Sequence, residues 1–140
     1  MTLEQAVYAY LSGFAGLTAL VGNRIYPRRL PQDANYPAVT YQRISRLPIR
    51  TSGTVPATRS RFQFTCWGAD VPGVKSGYDQ AKAVAEQVRL ALQNYAGLMG
   101  GTGGVNVLDA TLENEIDIDD GDDTQIGTYQ VAVDIFLIHE

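Results

Sequence analysis

Few residues in the chain have the chemistry for nucleophilic catalysis, which needs a nucleophile with a base beside it. Among 140 residues there is one histidine, His139, and one cysteine, Cys66. His139 is the penultimate residue, at the end of an expected strand, where it does not meet the geometric demands of a triad. Cys66 alternates in phase with Phe62 and Phe64, as a small buried hydrophobic residue does. We therefore predict no catalytic residue, and one cysteine forms neither an internal disulfide nor a zinc site.

Two short stretches superficially resemble ligand-binding loops. The glycine-rich run at 100–104 follows an expected helix and precedes a strand, whereas a phosphate-binding loop follows a strand and opens a helix. The Asp-Gly turn at 119–123 lacks the 12-residue loop, closing glutamate and flanking helices of an EF-hand. We interpret it as a charged turn that protects a strand end, and we predict no metal site and no cofactor. The alternative is a small ion- or ligand-binding module that uses this turn.

Charge is distributed unevenly along the chain. Eight of the eleven basic residues lie between positions 24 and 61, and positions 109 to 123 hold eight acids and no base. Four acids alternate along one expected strand: Glu113, Glu115, Asp117 and Asp119. Alternation places them on one face, about 6.5–7 Å apart, where they repel each other unless a basic surface meets them. Four arginines are the candidate basic partners: Arg46, Arg50, Arg59 and Arg61.

Composition excludes several partner classes. The net charge of −4 gives no bulk attraction to nucleic acid, and the signatures of single-strand readers are absent. We therefore expect no specific nucleic-acid sequence to be bound. No apolar run approaches the roughly 20 residues that span a bilayer, so we expect no membrane association. The first residues lack the features of a signal peptide, which leads us to expect synthesis in the cytoplasm.

Two amphipathic helices are expected. Residues 2–13 carry apolar side chains at helical spacing, with Thr2 and Gln5 forming a capping box and Gly13 closing the helix. Residues 76–94 carry one apolar stripe in steps of three and four. Both helices are therefore expected to pack one face against a sheet.

Four strands are expected from alternating or wholly apolar patterns. They cover residues 38–45, 59–67, 105–119 and 128–139. The last strand is apolar on both faces, which predicts a central position in the sheet. Residues 46–58 are expected to form a long exposed hairpin arm, and residues 105–138 an acidic hairpin. The predicted fold is a single α+β domain over 1–140, with an antiparallel sheet of about four strands, two helices packed on one face and the order α-β-β-α-β-β.

Several segments resemble a known family. Ala-Leu-Val-Gly-Asn-Arg-Ile-Tyr-Pro (19–27) and Tyr-Pro-Ala-Val-Thr-Tyr-Gln-Arg-Ile-Ser (36–45) are similar to segments of phage tail-completion proteins. Arg-Phe-Gln-Phe-Thr-Cys-Trp (61–67) and the alanine-rich helix at 79–92 fit the same pattern. The resemblance extends from the first helix to the second. These motifs are mainly structural and contain no active site.

The resemblance implies a tail-terminator, or head-to-tail joining, protein of a long-tailed phage or prophage. Such a protein is a structural component of the virion, made in the cytoplasm of the bacterial host and located at the head-proximal end of the tail. It forms a homo-oligomeric ring, usually a hexamer, that caps the tail tube protein and docks on the head-completion or connector protein. A head-to-tail ring needs two different patches on each copy. The acidic row and the arginines named above are the candidate interface, and pairing of these charges within one chain is the open alternative.

Overall fold

The computed structural model describes residues 1–49, 57–70, 77–118 and 128–140, and these contain three helices. Helix α1 covers Leu3–Ser12, α2 covers Ala15–Val21 and α3 covers Gly77–Leu92. The predicted capping box of α1 is confirmed, because the Gln5 N–H donates to Thr2 Oγ1 (3.2 Å) and the Thr2 N–H to Gln5 Oε1 (2.9 Å). None of the described helices is both long and apolar enough to cross a bilayer.

The described strands form one six-stranded sheet, in the spatial order β1-β2-β3-β6-β5-β4. Their bounds are β1 Ile25–Pro27, β2 Ala38–Ile49, β3 Ala57–Ala69, β4 Gly97–Met99, β5 Val105–Ile118 and β6 Thr128–His139. The pair β1–β2 is parallel and every other neighbouring pair is antiparallel. The prediction that the last strand is central is confirmed, since β6 lies between β3 and β5.

The predicted α+β class is correct, but the expected count of two helices and four antiparallel strands is wrong. The additional elements are short: α2 has seven residues, and β1 and β4 have three each. Segments of this length do not repeat often enough to produce a readable period. The arm predicted at 46–58 is also partly sheet, because β2 continues to Ile49 and β3 begins at Ala57. Residues 50–56 lie outside the described part of the chain.

All three helices pack on one face of the sheet. The even-numbered residues of β3 from Ser60 to Gly68 point into this face, and the odd-numbered residues of β6 from Val131 to Leu137 join them in a continuous apolar core. Helix α3 lies very close to β3 at Gly68. A Cβ at this position would lie 2.8 Å from the backbone nitrogen of Ala81 and closer still to the carbonyl oxygen of Gly77. Within the described residues, no helix covers the opposite face of the sheet.

The two outermost strands are much shorter than their neighbours. Strand β1 pairs with β2 only from Val39 to Tyr41, and β4 pairs with β5 only from Val105 to Val107. Strands β2 and β5 therefore continue well beyond the strands that flank them.

Candidate functional site

The predicted basic residues lie near one end of the β2–β3 pair. Arg46 on β2 and Arg59 on β3 are exposed, and Arg61 on β3 is partly exposed. The ladder places Arg46 opposite Ser60 and Arg59 opposite Leu47, so the two arginines are adjacent in the ladder but their side chains lie on opposite faces of the sheet. Arg50 lies outside the described residues.

The predicted acidic residues lie at the far corner of the same sheet. Glu113, Glu115 and Asp117 are exposed on β5, and Asp119 lies outside the described residues. The ladder runs from Arg46 through Ser60 and Leu137 to Ala110, which puts Glu115 three strands and several residues away from Arg46. Strand spacing and rise make this separation about 20 Å. Arg46 and Glu115 are therefore far apart within one chain, whereas Glu113 lies closer to Arg61 and its charge helps to raise the pKa of Arg61.

Two of the acids instead contact helix α3. Lys82 Nζ lies 2.6 Å from an oxygen of Asp117 and 3.9 Å from an oxygen of Glu115. The hydroxyl of Tyr78 donates to Asp117 at 2.6 Å. The hydrogen bond between Lys82 and Asp117 lowers the pKa of Asp117 and raises the pKa of Lys82. The sequence pattern did not predict these contacts, because they depend on how α3 packs across the sheet.

The four acids do not form the uniform row that alternation predicted. The β5–β6 register shifts between Leu112 and Asn114, and Glu113 is the extra residue at this point. Such a β-bulge changes which face the following residues occupy. Glu115 and Asp117 lie on the helix side, whereas the charge of Glu113 helps to raise the pKa of Arg61, which lies on the other face. The inference of one shared face is therefore wrong for Glu113.

The helix-free face carries an ion pair that the sequence did not suggest. Arg61 Nη2 donates to Asp134 Oδ2 at 2.6 Å, and the Asp134 side chain is only 5% exposed. This hydrogen bond is the main cause that raises the pKa of Arg61. Beside it, the guanidinium of Arg59 lies 3.8 Å from the ring centroid of Phe136. Both predicted arginines of β3 therefore already have partners on β6.

The single histidine lies in the core with a serine as its partner. Ser60 Oγ and His139 Nε2 are 2.9 Å apart, and the residues are 0% and 6% exposed. Burial is the main cause that lowers the pKa of His139. A substrate has no access to this serine, so the pair is not the nucleophile and base of an active site.

The cysteine and the possible metal ligands of the described residues also provide no reactive site. Cys66 is fully buried, as predicted, and burial raises the pKa of its thiol, which disfavours the reactive thiolate. Among the described residues no cluster of three or more His, Cys, Asp or Glu side chains is placed to hold a metal ion. The Asp-Gly turn at 119–123 lies outside the described residues, so the ion-binding alternative is not tested.

The chain is similar to known proteins over nearly its whole length. A family model described as "Tail completion protein gp17" matches residues 5–140. A solved chain from "Virion of native gene transfer agent (GTA) particle" is 18% identical with a TM-score of 0.67, and the match covers 97% of this chain and 93% of that chain. A second solved chain is 14% identical with a TM-score of 0.58, and the match covers 100% of this chain and 96% of that one. No curated protein matches.

The similarity to the two solved structures shows a shared fold and nothing more, because the sequence identities are low. The family model, in contrast, matches far more than half of the chain. The family is structural and non-enzymatic, which confirms that the chain is not an enzyme. Membership of this family also identifies the protein as a component of the virion tail. The chain belongs to the tail completion protein gp17 family, the family that its sequence motifs resemble.

Proposed function

We propose that the protein closes the head-proximal end of the tail tube as a homo-oligomeric ring and joins the tube to the head. By analogy with the resemblance described above, the ring is a hexamer. Its other partners are then the tail tube protein on one side and the head-completion or connector protein on the other. Membership of a tail completion family supports this role, because completing a tail requires a component that occupies its end.

The observation that carries the ring is the separation of charge across one sheet. Exposed Arg46 lies near one corner and exposed Glu115 near the diagonal corner, about 20 Å away by strand geometry. A closed ring requires two different, complementary patches on every copy. The proposed interface consists of Arg46, Arg50, Arg59 and Arg61 on one copy against Glu113, Glu115, Asp117 and Asp119 on the next.

Ion pairs within the chain indicate which of these residues already have a partner of opposite charge. Arg61 is paired with Asp134, and Asp117 with Lys82, so both already have an opposite charge beside them. No described residue forms an ion pair with Arg46 or Glu113, and both side chains are exposed. We therefore expect Arg46 and Glu113 to contribute most to recognition between copies. Complementary charges of this kind set orientation and association rate more than affinity.

The test is the mass of the purified protein in solution, together with its binding to tail tubes. Light scattering over a range of protein and salt concentrations should show a ring, and electron microscopy should show it at one end of each tube. Arg46→Glu should weaken assembly, whereas Arg29→Glu makes the same charge change at an exposed residue outside the sheet and serves as the matched control. A protein that stays monomeric under all conditions and leaves tube ends uncapped would refute the proposal.

A further inference from the structure

The open face of the sheet, which no described helix covers, carries large apolar side chains. Ile116 on β5 is 45% exposed and shares this face with its ladder partner Ala132. Leu47 on β2 is 60% exposed and shares it with Arg59. Three further apolar residues of this face are half-buried: Trp67, Phe136 and Ile138. A sheet face of this composition is normally covered by a second layer of structure.

Part of the open face also lacks charge. Its described charged side chains lie at one end, no further along the sheet than the rung in which Gln63, Asp134 and Asn114 are paired. The next two rungs hold only uncharged residues: Thr40, Thr65, Ala132 and Ile116 in one, and Ala38, Trp67, Gln130 and Ile118 in the other. Such a surface can be buried against another protein without the desolvation cost of an ion.

A second uncharged surface lies among the helices, on the other side of the sheet. Residues 5–23 and 90–108 contain no charged side chain, although charged residues make up 19% of the chain. The two segments meet where the Tyr10 hydroxyl donates to the carbonyl oxygen of Ala91 at 2.6 Å and the ring centroids of Tyr10 and Tyr95 lie 4.6 Å apart. They form a neutral corner that contains the end of α1, the start of α2, the end of α3 and strand β4.

The neutral corner has the shape and composition of a docking surface. A groove of about 400 Å³ lies between the two segments, and it is lined by Ala9, Tyr10, Gly13 and Phe14 from the first and by Leu98 and the glycines at 100–101 from the second. Leu90 and Leu98 of the second segment are 52% and 55% exposed. Few charges and many aromatic residues are typical of the buried core of a protein interface.

The charges beside the two surfaces favour contact between different copies of the chain. Arg59 and Arg61 lie at the charged end of the open face, whereas Glu115 and Asp117 lie on the helix side. If the helix side of one copy faces the open face of the next, uncharged surface meets uncharged surface and these acids approach these arginines. The two surfaces lie on opposite sides of one sheet, so the contact is heterologous, as a closed ring requires.

We propose that the neutral corner of one copy packs on the uncharged part of the open face of the next copy, so that the helices of each copy cover the sheet of its neighbour around the ring. This inference rests on the proposed ring and supplies the apolar part of its interface. Complementary charges set the orientation and the association rate, whereas the burial of apolar area provides most of the affinity.

Variants that block one surface at a time test the packing. Ala9→Lys places an ammonium group beside the groove of the neutral corner, and Ile116→Lys places one on the open face. Both residues are exposed, so each variant should remain folded, which circular dichroism verifies. Each variant alone should raise the apparent dissociation constant for assembly by about tenfold or more, because the contact would bury an unpaired charge. Asn35→Lys adds the same charge at an exposed residue between β1 and β2, and this control should assemble like the wild type.

A 1:1 mixture of the two blocked variants identifies which surfaces meet. The Ile116→Lys copy keeps its neutral corner and the Ala9→Lys copy keeps its open face, so light scattering at high concentration should show dimers that do not grow further. The two remaining surfaces both carry an added lysine and do not attract each other.

The other outcomes separate this packing from the ring itself. Dimers of Ile116→Lys alone would show that two neutral corners meet, and dimers of Ala9→Lys alone would show that two open faces meet; either result, or a mixture without dimers, would overturn the packing. Rings that form from both variants as they do from the wild type would also overturn it and leave the proposed ring intact. A wild-type protein that never assembles, with or without tail tubes, would overturn both.

Discussion

The close approach of helix α3 to strand β3 at Gly68 makes a sharp prediction about stability. A methyl group at this position would lie 2.8 Å from the backbone nitrogen of Ala81 and closer still to the carbonyl oxygen of Gly77. Both atoms belong to the backbone, so no change of side-chain rotamer relieves the overlap. We expect Gly68→Ala to push α3 away from the sheet.

The size of the effect follows from the packing of α3. Ordinary contact would require the helix to move by about 1 Å, and a gap of that size loses a quarter to a half of the dispersion energy at each contact. The helix places five fully buried side chains in the core: Ala81, Val84, Ala85, Val88 and Leu92. Overpacking typically costs about 1–3 kcal/mol, and we expect the upper end, about 3 kcal/mol, because a whole helix is displaced. For a domain of this size, that lowers the Tm by about 10 °C.

Urea unfolding followed by circular dichroism measures the free energy of unfolding of this variant. Gly13→Ala is the matched control, because Gly13 has a φ of −98° and an added Cβ would meet its nearest atoms at 3.7 Å. The control should change the free energy of unfolding by less than about 0.5 kcal/mol, or raise it slightly. A Gly68→Ala protein within about 0.5 kcal/mol of wild type, as judged by the same measurement, would show that the packing argument is wrong.

Three further predictions concern polar groups. Ser60→Ala removes the hydrogen-bond partner of buried His139 and should lower the free energy of unfolding by about 1–2 kcal/mol in urea titrations; no loss would contradict the bond. Because burial lowers the pKa of His139 in the folded state, the unfolded chain binds more protons, and stability should decline as the pH falls below about 6.5. His139→Gln should reduce this loss of stability at low pH in unfolding curves recorded across pH. An unchanged loss would show that other titrating groups cause it. Lys82→Gln should raise the pKa of Asp117 towards its ordinary value, as followed by NMR titration of the carboxyl carbon, and an unchanged pKa would contradict the contact.

The sequence predicted well the features that repeat along the chain. Helix α1 and its capping box follow from Thr2 and Gln5, and the central place of β6 follows from apolar residues on both of its faces. The separation of charge is also visible in the sequence. In each of these cases, a local pattern reports directly on the local environment.

The features that were missed depend on contacts between distant segments. Asp134 is one acid in an apolar strand, and only the β3–β6 register shows that it meets Arg61. The bulge at Glu113 is set by the pairing of two strands, so alternation along one strand does not reveal it. Lys82 meets Asp117 only because α3 packs across the sheet. The candidate interface was therefore predictable as a set of charges, but its geometry was not.

The strand order has a consequence for how the protein folds. The pairs β2–β3 and β5–β6 each join strands that are consecutive in the chain, whereas the β3–β6 pair joins residues as distant as Thr58 and His139. Contacts between distant residues form slowly because a long loop must close first. The two hairpins should therefore form first, which gives an intermediate in which the inner edges of β3 and β6 are still exposed. At high concentration, the β5–β6 hairpin of one chain would meet β3 of another, and domain-swapped dimers should accumulate during rapid refolding.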